Sequence, residues 1–112
     1  MRVLVCGSRT YLNGDRIRER LAQLPTGSTI IAGAARGADT IAANAGRSLG
    51  YDVIEVPADW DRYGKSAGLR RNVQMLEMSP DLVIAFWDGD SRGTAHTMRE
   101  ARSRGITVEV VQ

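Results

Sequence analysis

A Rossmann-like α/β sandwich, three layers around a five-stranded parallel sheet, is the fold this sequence predicts. Three observations predict it. Short apolar runs alternate with segments of helical periodicity from one end of the chain to the other. The runs are apolar almost without interruption, as strands buried on both faces of a sheet are. Glycine-rich turns follow the first, second and fourth runs, where a strand hands over to a helix.

The first strand is Val3-Leu4-Val5-Cys6, ending at Gly7. Residues 15–24 follow as a helix, because Ile17, Leu21 and Leu24 recur at i, i+4 and i+7. Asn13 or Asp15 supplies its cap, and Pro25-Thr26-Gly27 ends it. Strand two spans 28–32. A small-residue helix over 38–49 is closed by Gly50, a residue suited to the left-handed position after a helix. Strand three, 51–56, stops at Pro57. Residues 58–66 form the longest connection and mix charge with aromatics, as functional loops often do. The helix over 67–78 carries Leu69, Val73 and Leu76 on one stripe. Arg71 lies about 200° around from Leu69 and Val73, so it points away from that stripe. Ser79-Pro80 breaks the helix. Strand four lies within 81–87, the last helix within 93–104 and strand five within 106–111.

Alternation of this kind requires right-handed crossovers. Of the two common strand orders, 3-2-1-4-5 is expected. It sets the turns after strands one, two and four side by side at the switch point, where ligands of such sheets bind.

The bulk composition narrows the class. The chain has 112 residues, with 43% hydrophobic and 25% charged. That fits one domain spanning residues 1–112 with one modest core. No apolar run approaches the roughly 20 residues of a membrane span. The N-terminus lacks the pattern of a signal peptide. The expected compartment is the cytoplasm, with no membrane partner. A lone Cys6 and a lone His96 exclude an internal disulfide and offer no metal site. Neither a metal nor a cofactor is expected. The net charge of +2 is too small to mark a nucleic-acid binder. Lys65 is the only lysine, and the remaining cations are arginines, which suit planar recognition of phosphate.

The candidate ligand residues cluster at the turns. In the first turn they are Gly7, Ser8 and Arg9. In the second, Gly33, Arg36, Gly37 and Asp39 stand where a helix begins, and Asp39 is placed either to touch ligand or to complement the helix dipole. In the third, they are Asp88, Gly89, Ser91, Gly93 and Thr94, with Ser91 and Thr94 as phosphate donors. Converging helix N-termini make an anion pocket. The long connection adds Trp60 or Tyr63, to stack on a base, and Lys65. The next helix adds Arg71 and Asn72. Neither Gly-x-Gly-x-x-Gly nor Gly-Lys-Ser/Thr is present, which disfavours ordinary dinucleotide and Walker-type sites.

These pieces, in this order, resemble the SLOG superfamily, which groups DprA-type DNA-processing proteins with LOG-type nucleotide phosphoribohydrolases. The chain looks most like its small single-domain YspA/YpsA-like group. The resemblance rests on Val5-Cys6-Gly7-Ser8-Arg9, Gly33-Ala34-Ala35-Arg36-Gly37-Ala38-Asp39, Pro57-Ala58-Asp59-Trp60 with Gly64-Lys65-Ser66-Ala67-Gly68, Arg71-Asn72-Val73-Gln74-Met75, and Asp88-Gly89-Asp90-Ser91-Arg92-Gly93-Thr94. The LOG pattern implies a catalytic arginine, matched by Arg71 ahead of Met75. It also implies a glutamate three residues after a Gly-Thr pair, and that position is Thr97 here.

The leading functional expectation is a domain that binds a nucleotide or nucleotide-derived small molecule, as sensor or sequestering protein. A homo-oligomer is compatible with it. The second is a nucleoside monophosphate N-glycosidase, with Arg71 and either Glu100 or Asp39 in catalysis. The third is DprA-like binding of single-stranded DNA, which the low net charge and sparse aromatics count against.

Overall fold

The computed structural model describes residues 1–112. Its sheet contains five parallel strands in the order β3-β2-β1-β4-β5. They are β1 (Arg2–Gly7), β2 (Thr29–Gly33), β3 (Asp52–Val56), β4 (Leu82–Phe86) and β5 (Thr107–Val111). The helices are α1 (Gly14–Leu21), α2 (Ala38–Ser48), α3 (Trp60–Tyr63), α4 (Ala67–Leu76) and α5 (Arg92–Ser103). The expected fold and strand order both hold.

Period-two alternation in the central strands feeds two separate cores. Val3 and Val5 of β1, with Ile84 and Phe86 of β4, pack beneath α1 and α2 against Ile17, Leu21 and Ala42. Leu4 and Cys6, with Val83 and Ala85, pack on the other face against Met75 and Leu76 of α4 and Met98 and Ala101 of α5. Unbroken apolar runs are therefore what these strands need. The edge strands β3 and β5 each carry only one fully buried residue, Val56 and Val111. They spend polar side chains on ion pairs instead, Arg47–Glu55 at 2.8 Å and Arg20–Glu109 at 2.6 Å.

Two expectations need correction. The connection at 58–66 is not irregular: it holds the short helix α3, capped by Asp59 Oδ1, and a 3₁₀ turn (Gly64–Ser66). The apolar stripe of α4 was also misplaced. Its buried residues are Ala67, Asn72, Met75 and Leu76, whereas Leu69 is 46% exposed and Val73 is only half-buried. Arg71 adjoins the buried face rather than opposing it, and is itself half-buried. A hydrophobic period alone does not reveal that a small polar residue such as Asn72 occupies the buried side.

No helix is long and apolar enough to cross a membrane.

Candidate functional site

The strand order brings the three turns to one end of the sheet. There they open on a cleft of about 390 Å³. Its near wall is Gly7, Arg9 and Thr10 after β1, and its opposite wall is Ser91 to Thr94 at the start of α5. Ala35 and Asp39 close one end. Arg71, Asn72 and Met75 of α4, with Cys6 and Thr97, complete the lining, and Trp60 and Lys65 form the rim.

The second turn owes its form to two glycines. At Gly37 the backbone takes φ +75°, and its missing Cβ leaves room for the Arg9 backbone carbonyl. This contact locks the first turn to the second. Gly33 makes a different allowance. A Cβ there would stand 2.6 Å from Arg71 Nη1 and 2.9 Å from Asp39 Oδ2. The absence of a side chain at Gly33 lets the guanidinium and the carboxylate approach one point over the end of β2.

Asn72 holds Arg71 in place. Its Oδ1 accepts from Arg71 Nε at 3.0 Å, and its Nδ2 donates to the Gly93 carbonyl at 3.3 Å. Arg71 Nη1 also donates to the Val56 carbonyl at 3.4 Å. Burial lowers the Arg71 pKa; Asp39 counters the shift and Arg9 adds to it. Asp39 is only 6% exposed, and its Oδ1 is enclosed with no hydrogen-bond partner. Burial pushes its pKa up to about 7, against the opposing pull of Arg71, the Ala35 N–H and Arg9. Asp39 does not cap α2: Gly37 occupies that position, without a side-chain bond. Burial, reinforced by Asp39, likewise pushes the Cys6 thiol up, which keeps it an un-ionised part of the floor.

The free backbone donors are not those the glycine pattern points to. Ser8 N–H is committed to the Phe86 carbonyl at 3.0 Å, and Thr94 N–H to Ser91 Oγ at 3.1 Å. Ala38 N–H faces the Ser8 carbonyl. Among the residues that line the cleft, Arg9, Thr10, Ser91, Arg92 and Gly93 have backbone N–H groups with no partner within the fold. Ser8 is fully buried, with its hydroxyl accepting from Asp88 N–H, so it braces the turn from behind.

Several expected residues stand away from the cleft. Arg36 is exposed and outside the lining. Gly89 shapes the third turn at φ +92°. Asp88 ties that turn to the first, accepting from Thr10 Oγ1, a bond that with the Ser8 contact lowers its pKa. Glu100 faces His96 and Arg104 at 3.9 Å each and does not reach the cleft. Thr97 does reach it: it is 1% exposed, and its Oγ1 donates to the Gly93 carbonyl at 3.1 Å. Thr10 lines the site without being a candidate from sequence, and Gly68 and Met75 line it although they stand only in segments that carry the resemblance. Gly68 is the second residue of α4, just past the charged connection. The Trp60 ring lies across it, with Cη2 3.4 Å from where its Cβ would be, and stays 54% exposed.

Against this geometry the relatives can be placed. A family model described as the YspA, cpYpsA-related SLOG family (YAcAr) matches residues 1–63, more than half the chain. The chain belongs to this family. The matched SLOG segment runs from β1 to α3 and contains the first two of the three turns. The Gene 61 protein of Mycobacterium phage D29 is 40% identical over 116 residues, covering 96% of this chain and 93% of that protein. The same architecture recurs in the X-ray structure of DNA processing protein A (DprA) from Streptococcus pneumoniae, with a TM-score of 0.81 over 99% of this chain at 21% identity. The chain spans about half of that structure, 50%. At that identity the likeness is one of fold.

Proposed function

We propose that the cleft binds a nucleotide or nucleotide-derived small molecule, and that the protein acts as its sensor or sequestering protein. The observation that carries this reading is the meeting, in one concave site, of unpaired amides from two turns with two arginines. Arg9, Thr10, Arg92 and Gly93 offer N–H groups, and Arg9 and Arg71 offer guanidinium charge. A phosphate at the α5 N-terminus would meet both the free amides and the positive end of the helix dipole. Trp60, exposed at the rim, supplies a face for a base. The cleft volume lies in the usual range for small-molecule sites.

The hydrolase reading loses support at α5. Cleavage of an N-glycosidic bond develops positive charge that a carboxylate can stabilise. Thr97 offers none and Glu100 lies outside the cleft, which leaves Asp39 as the one carboxylate named for catalysis that lines it. DprA is by name a DNA processing protein. For this chain, strand binding would need more than one exposed aromatic beside the cleft.

The test is native mass spectrometry of the purified protein, then calorimetry against adenosine, guanosine, cytidine and uridine 5′-monophosphates and a single-stranded oligonucleotide. A co-purified nucleotide, or saturable binding of one monophosphate at a single site, supports the reading. Binding of the oligonucleotide alone, falling steeply with salt, would replace it.

A further inference from the structure

One polar arrangement in the cleft is incomplete. Arg71 and Asp39 approach the same point above Gly33, yet they are not in ion-pair contact. Asp39 is almost wholly buried and accepts no side-chain hydrogen bond from Arg71, while Arg71 spends Nε on Asn72 and Nη1 on the Val56 carbonyl. A buried carboxylate and guanidinium this close would gain by pairing. Arg71 Nη1 and Asp39 Oδ2 lie 2.6 and 2.9 Å from one point above Gly33, a separation that one bridging oxygen can span, since two hydrogen bonds end to end cover roughly 5–6 Å.

The occupant must accept from a guanidinium and donate to a carboxylate. A phosphate oxygen meets the first demand and is repelled by the second. An ammonium meets the second and is repelled by the first. Water and a sugar hydroxyl both meet the two demands without charge, and a hydroxyl carried by a bound nucleotide takes the place of the water. We infer that the gap between Arg71 and Asp39 seats a sugar hydroxyl, and that the cleft thereby prefers ribonucleotides to deoxyribonucleotides. This rests on the nucleotide reading of the cleft and assigns the ligand's orientation within it. The phosphate lies toward Gly93, the sugar over the end of β2 and the base toward Trp60. A site built around a hydroxyl discriminates strongly against analogues that lack it, because its buried polar groups are then left unpaired.

The charged and titratable groups facing Asp39 are Arg71 from α4, Arg9 from the first turn and the Cys6 thiol from β1. The carboxyl sheds its proton near pH 7. The hydroxyl preference therefore grows as pH rises through that value, because only the carboxylate is a pure acceptor. Taking ratios between analogues at each pH cancels the titration of the phosphate itself.

The experiment takes the monophosphate that binds most tightly of the four and measures affinity for it and for its 2′-deoxy and 3′-deoxy forms, at pH 5.5 and 8.5, with wild-type protein and Asp39→Asn. At pH 8.5 at least one deoxy form should bind wild type about tenfold more weakly or worse. The difference should shrink at pH 5.5 and vanish in Asp39→Asn. Equal binding of all three nucleotides by wild type overturns the inference while leaving the nucleotide reading intact. A preference that persists unchanged in Asp39→Asn and at pH 5.5 moves the hydroxyl elsewhere and also overturns it. Failure of all four ribonucleoside monophosphates to bind removes both.

Discussion

Asp39 sets two effects against each other. Its carboxyl loses a proton near pH 4 in an unfolded chain and near pH 7 in the fold. Between those values the folded state holds more protons than the unfolded one, so stability falls as pH rises from about 4 to 7 and stays lowered above that. Each pKa unit is worth about 1.4 kcal/mol, so ionised Asp39 costs the fold a few kcal/mol. Asp39→Asn should therefore raise the melting temperature by several degrees at pH 8 and leave it nearly unchanged at pH 4. Equal gains at both pH values would show that ionisation is not the cause. Gaining stability while losing ligand discrimination is the usual trade at a functional site. Arg71→Ala is expected to weaken nucleotide binding by about tenfold to a hundredfold, the worth of a charged hydrogen bond. Its stability effect should be small, because Asn72 keeps its bond to Gly93 and the buried Met75 and Leu76 are untouched. Calorimetry and urea denaturation on the same variant separate the two effects.

At the level of elements, the site depends on how turns lock together. Gly37 is the clearest case, since its left-handed φ and the Arg9 carbonyl both forbid a side chain. Gly37→Ala should cost roughly 1–3 kcal/mol or more in urea unfolding and should also abolish nucleotide binding. A variant that keeps wild-type stability would mean the turn relaxes freely. The α4 helix teaches a different point. Leu69, Val73 and Leu76 have helical spacing, yet the helix buries Ala67, Asn72, Met75 and Leu76. Small and polar residues can take the buried side when the neighbouring element lies close and supplies a partner, here the Gly93 carbonyl. Leu69 is left at the cleft, half-exposed.

For the whole molecule the question is activity. Thr97 stands in the cleft where the resemblance to LOG enzymes implies a glutamate, and the fold turns Glu100 outward. Wild-type protein should release free base from the four ribonucleoside monophosphates only at a trace rate, assayed by chromatography. Thr97→Glu places a carboxylate in the lining and should raise turnover by about a hundredfold over wild type, since one preorganised electrostatic group is worth about 3 kcal/mol. Robust wild-type turnover that Arg71→Ala abolishes would promote the hydrolase over the binder.

The sequence by itself determined the parallel sheet, its strand order and the gathering of the turns at one edge. Those follow from apolar period, glycine position and crossover handedness, which are local or obey simple rules. The α1 cap narrows in sequence to Asn13 or Asp15 for the same reason, and in the fold Asn13 Oδ1 accepts from the Arg16 N–H at 3.2 Å. What only the tertiary structure decided is which polar groups are already spent. Ser8 and Thr94 donate their amides within the fold, Arg36 and Glu100 face away, and Arg71 comes in beneath Asn72 to stand beside Asp39. A hydrogen bond or a buried charge depends on partners brought from distant parts of the chain. The gap between Arg71 and Asp39 exists because β2, α2 and α4 meet over one glycine.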